Sequence, residues 1–69
     1  MSKTQQSQRL RRLLAVESAR IMAEEGVVDF RVAKEKAARR LGAGGDARHH
    51  WPNNSEVEVE LQARLNLFH

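Results

Sequence analysis

Large apolar side chains recur in the first third of the chain at Leu10, Leu13, Leu14 and Ile21, positions that share one face when successive residues turn by about 100°. The pattern predicts an amphipathic helix over residues 8–25, with Ala15, Ser18 and Met22 widening its apolar side. Ser7 is placed to cap its start and Gly26 to end it in the left-handed conformation. Residues 1–7 carry no such period and are expected to form a frayed tail. Glu17 breaks the apolar face between Leu13 and Ile21, so its carboxylate needs a partner. Arg20, three residues on, can supply one, as could a histidine or backbone amide from another element; otherwise Glu17 is a rim residue whose stem packs while its head reaches water.

A second apolar stripe, Phe30, Ala33, Ala37 and Leu41, falls at i, i+3, i+7 and i+11 and predicts a helix over 30–41. Asp29 is its N-cap, Gly42 its stop, and Val28 with Ala33 a small hydrophobic staple. The alanines allow another helix to approach closely. Asp29 to Gly42 is the most completely specified stretch and is expected to organise the fold.

The glycines of residues 42–45 break any period and predict a loop reaching to Pro52, within which Trp51 is expected to cover an open edge of the first two helices. The segment Glu56-Val57-Glu58-Val59-Glu60-Leu61 alternates as a half-buried strand would, yet Val57, Leu61, Leu65 and Phe68 also fit a helical stripe. Asn53 as N-cap with Glu56 three residues later forms a capping box, and acidic residues suit the positive end of a helix dipole, so the reading here is a helix over 54–68. The expected architecture is all-α: three short helices in a small open bundle, the third following the glycine-rich loop. Its core should draw on Leu10, Leu13, Leu14, Ile21, Phe30, Leu41, Trp51, Val57, Leu61, Leu65 and Phe68.

Composition narrows the functional classes. A chain of 69 residues makes one small core of marginal stability, and with no cysteine it has neither disulfides nor thiolate metal ligands, which suits a reducing, cytoplasmic setting. No apolar run approaches membrane-spanning length. Residues 1–48 carry a net charge of +5 and residues 49–69 a net of −2, so the acidic third helix is expected to lie beside the basic part. No pair of acids, bases or nucleophiles is spaced for catalysis, His49, His50, His69 and Asp46 do not form a metal-binding pattern, and no cofactor is expected.

Two binding readings remain. The first is a non-catalytic interaction module, self-associating or docking on an adjoining domain through Leu61, Leu65, Leu67, Phe68 and Trp51, because the third helix is still apolar when the chain reaches His69. The second is a small DNA- or RNA-binding module using Arg31, Lys36, Arg39 and Arg40. A helix-turn-helix with Gly26 in the turn would bury residues around Val32 and Glu35, which is not where the apolar stripe lies. The strings ESARIMAEEG at Glu17–Gly26, AKEKAARRLG at Ala33–Gly42 and PNNSEVE at Pro52–Glu58 resemble the front part of an uncharacterised proteobacterial family in which a helical segment precedes a nucleotidyltransferase-like domain. That resemblance implies the N-terminal module of a longer protein. No residue here matches the nucleotidyltransferase metal motif, so it carries over no catalytic residue.

Overall fold

The described residues form three helices, α1, Lys3–Glu25; α2, Phe30–Leu41; and α3, Asn54–Leu67, and α2 and α3 start at their predicted caps. The structure, a computed structural model, describes residues 3–42 and 51–67, and the side chains of 8–42 and 51–66 among them. Helix α1 starts at Lys3 rather than at residue 8, so Ser7 lies inside the helix and does not cap it. Lys3, Gln5 and Gln6 are good helix formers with no glycine or proline among them, and the turn extends through them.

The connections follow from local chemistry. Gly26 leaves α1 at φ 71°, a conformation that a residue with a Cβ adopts only under strain. Asp29 Oδ1 then accepts from the N–H groups of Arg31 at 2.8 Å and Val32 at 3.4 Å, capping α2 as its sequence requires. Val28 is 88% exposed, so the expected staple with Ala33 does not form; Val27 is the residue of this turn that packs on the core. At α3 the capping box is complete: Glu56 N–H donates to Asn53 Oδ1 at 2.8 Å, and Asn53 N–H donates to Glu56 Oε1 at 3.0 Å.

The organising element is α1 rather than α2. Leu14 and Ile21 on one face of α1 are buried against Ala33, Ala37 and Ala38 of α2, with Leu10, Val27 and Trp51 packed at the margin. On the adjacent face, Ala15 and Ala19 are buried against Val57 of α3, with Leu61 and Phe30 beside them. Met22 packs on both clusters. The two contacts reverse the roles of large and small: α1 presents bulk to the alanines of α2, and alanines to the bulk of α3. Ion pairs fix the directions. Glu25–Lys36 and Glu17–Arg40 set α2 antiparallel to α1, whereas Arg11–Glu56 and Glu24–Arg64 set α3 parallel to it.

This arrangement corrects the expected core at three positions. Leu13 is 49% exposed, because the second buried face extends from Leu14 towards Ala15, the opposite rotation from Leu13. Leu41, the last residue of α2, is 40% exposed at the end of the packed face, and Leu65, near the end of α3, is 44% exposed. Phe68 lies outside the described residues.

Between the two clusters sits Ser18, wholly buried, its Oγ without a hydrogen-bond partner. A buried hydroxyl left unpaired costs about 1–3 kcal/mol. Ser18→Ala should therefore raise the free energy of unfolding by about 1 kcal/mol, whereas Ile21→Ala should lower it by about 2–5 kcal/mol. Urea titration followed by circular dichroism checks both, and a destabilised Ser18→Ala chain would mean that the hydroxyl is satisfied in solution.

Candidate interaction surface

The charged side chains of α1 and α2 are directed largely at each other. Glu17 is the partner-seeking carboxylate of the apolar face, and its side chain is only 17% exposed. Arg20 donates to it through Nη2 at 2.6 Å and Nε at 3.2 Å, and Arg40 of α2 adds a third bond at 3.3 Å. Arg40 also donates to Glu25 at 2.6 Å, and Lys36 donates to the same carboxylate at 3.2 Å. The bond from Arg20 is the main reason that the Glu17 carboxyl is held below its ordinary range, against a smaller upward push from desolvation; Arg40 and Lys36 lower that of Glu25.

On the other side of α1, Arg11 Nε donates to both oxygens of Glu56, at 2.9 and 2.7 Å, and Arg11 Nη2 bonds the same carboxylate. Glu56 thus serves both the cap of α3 and its attachment to α1. Arg11 and the backbone of Asn53 together hold its carboxyl below the ordinary range. Lys34 Nζ donates to Asn54 Oδ1 at 2.7 Å, linking α2 to the start of α3, and the burial this entails lowers the Lys34 ammonium from its usual value.

This network decides the fate of the basic face. Lys36 and Arg40 are held by Glu17 and Glu25 of α1, not by the acidic third helix, and Arg31 lies 3.8 Å from Glu35. Arg39 is exposed. Two of the four cations proposed for nucleic acid are therefore spent inside the fold. Val32 is 39% exposed while Ala33 and Ala37 are buried, the register that argued against a helix-turn-helix.

The apolar residues proposed for a partner are divided. Trp51 and Leu61 are half-buried and packed on the two core clusters. Leu65 is 44% exposed, whereas the side chain of Leu67 and the whole of Phe68 lie outside the described residues. The most exposed apolar residue of α3 among those described lies off the predicted stripe: Val59, at 65%, beside Val57 at 0%. The signal was present in the alternation of residues 56–61. On a strand, Val57 and Val59 would share a face; on a helix they are about 200° apart, so burying one turns the other outward.

Beside Val59 an uncharged stripe runs along the outward side of α3, bordered by the exposed Glu58. Ser55, Val59, Gln62, Ala63 and Asn66 are all exposed and follow one another around successive turns. Beside this stripe an open groove of about 350 Å³ runs between α1 and α3, lined by Gln8, Arg12 and Ala15 on one wall and Val59 and Glu60 on the other, with the Arg11–Glu56 pair also along it. Further along the same pair of helices a smaller groove brings in Val16, Ala63 and Arg64.

Among the described residues, no group of three or more His, Cys, Asp or Glu is placed to hold a metal ion, and no helix is long and apolar enough to cross a membrane. Asp46, His49, His50 and His69 lie outside the described residues. Compared with family models, curated proteins and solved structures, the chain matches none.

The depressed carboxyls of Glu17, Glu25 and Glu56 fix the pH response. Each stabilises the fold while ionised, so the contribution is complete above the ordinary value of 4.5 and is lost as pH falls through the lower value each has in the folded chain. The thermal midpoint should hold as pH is lowered to about 5 and fall below that. Glu17→Gln should lower the midpoint at neutral pH and flatten the acid limb; a limb parallel to that of the parent would show that the Glu17 pairs carry no weight.

Proposed function

We propose that this chain is a non-catalytic helical interaction module that offers the outward side of α3, with the adjoining α1–α3 groove, to a protein partner. The observation that carries the reading is Val59: a β-branched apolar side chain, 65% exposed, at the centre of an uncharged stripe in a chain of which 30% of residues are charged. Single exposed apolar residues are ordinary on any surface. Here Val59 stands between an uncharged stripe on α3 and the α1–α3 groove, whose walls also carry Ala15 and, further along, Val16 and Ala63, a strip long enough for a helix-sized partner.

The face of α2 supports a nucleic-acid partner less well, because Lys36 and Arg40 would have to leave Glu17 and Glu25 to neutralise phosphates. A cytoplasmic setting suits a cysteine-free module of this kind.

Site-specific photo-crosslinking in expressing cells tests the reading. A benzophenone amino acid at position 59 should give a discrete protein adduct, and the same group at position 31, on the exposed part of α2, should not. Equal adducts from both positions, or none from position 59, would remove this surface as the site of interaction. In parallel, a mobility-shift assay at about 50 mM salt with mixed-sequence duplex and single strands should show no retardation.

A further inference from the structure

Resting on that interaction reading, we infer that the partner is a second copy of this chain, paired about a two-fold axis with the α3 helices antiparallel and Val59 next to the axis. The inference comes from how the acids are used. Of the nine acidic residues, Glu17, Glu24, Glu25, Glu35 and Glu56 stand in ion pairs and Asp29 caps α2. Asp46 lies outside the described residues. Glu58 and Glu60 are left, the two residues that flank Val59, and neither has an ion pair or hydrogen bond among the described residues.

Of the exposed cations that make no ion pair among the described residues, Arg39 lies on α2 and Arg12 borders the groove beside Val59. Arg9 and Arg12 of α1 are exposed and make no ion pair among the described residues, and Arg12 lines the groove whose opposite wall carries Val59 and Glu60. Arg12 and Glu60 thus border one groove with opposite charges that do not close on each other. A two-fold interface must be complementary to itself, so a cation and an acid that border one patch without closing on each other can pair between two copies. The patch centred on Val59 has that composition. In the pair, Arg12 of each copy faces Glu60 of the other, and the uncharged stripes of the two α3 helices meet along their length. A helix of 14 residues is about 21 Å long, which places the buried area at the small, weakly bound end of the range for protein interfaces. The expected dissociation constant is tens to hundreds of micromolar.

Sedimentation equilibrium of the whole chain over a concentration series up to about 1 mM tests this. The parent chain should move from monomer to dimer. Val59→Arg, which changes an exposed side chain and should leave the circular dichroism and thermal midpoint unaltered, should weaken association by at least about tenfold. Arg12→Glu alone and Glu60→Arg alone should each be monomeric, and an equimolar mixture of the two should form a heterodimer, because reversing both sides restores a pair. A chain that stays monomeric throughout, a dimer indifferent to Val59→Arg, or a charge-reversed mixture that fails to associate would each overturn the inference. The photo-adduct at position 59 keeps its failure distinct from that of the interaction reading. An adduct twice the mass of the chain supports self-pairing; an adduct with a different protein, from a chain that is monomeric, would sink self-pairing and leave the interaction surface standing.

Discussion

Everything in this fold depends on α1 burying two adjacent faces at once. Leu14 and Ile21 belong to one face, Ala15 and Ala19 to the next, and Ser18 and Met22 occupy the seam where both partners crowd in. A helix that serves two partners has little surface left for error. That accounts for a seam residue as small as serine, tolerated although its hydroxyl finds no partner, since anything larger would hold α2 and α3 off. The reciprocal placing of large and small residues then lets each neighbour approach without a cavity.

Charge reinforces the same hub. Arg40 and Lys36 reach from α2 to Glu17 and Glu25, and Glu56 reaches from α3 to Arg11, so the pairs that join helices converge on α1. Glu56 is the tightest node. As the third residue of its helix it closes the capping box with Asn53, and as a carboxylate it receives the fork of Arg11. The start of α3 and its docking are therefore coupled through one side chain. Such exposed pairs add modest stability individually; their larger effect is to fix direction and register, and to withdraw from the surface cations that would otherwise form a basic track.

What remains on the surface after these pairings is informative because so much else has been used. On α3 the most exposed apolar side chain is Val59, the acids without a partner among the described residues are its neighbours Glu58 and Glu60, and the unpaired cation on the adjoining groove is Arg12. Trp51 and Leu61 are absorbed by the core, whereas the outward side of α3 around Val59 stays exposed.

The sequence by itself determined the local structure: three helices, the cap at Asp29, the capping box at Asn53 and Glu56, and the left-handed glycines at 26 and 42, while it left the partner of Glu17 open between Arg20, another element and water. These were legible because each depends on residues within about one turn, where spacing and side-chain chemistry suffice. Only the tertiary structure decided that α1 rather than α2 is the hub, that Arg11 is the long-range partner of Glu56, and that Lys36 and Arg40 turn inward to α1. It also decided the meaning of the Glu-Val-Glu-Val-Glu alternation. A helix with valines two residues apart can bury either, and which one faces inward depends on the rotation of α3 about its own axis. That rotation is set by the alanine face of α1 and the Arg11–Glu56 pair, both more than thirty residues away in sequence. Periodicity shows that a helix has an apolar side; it takes the neighbour to show which apolar residue is left for something else.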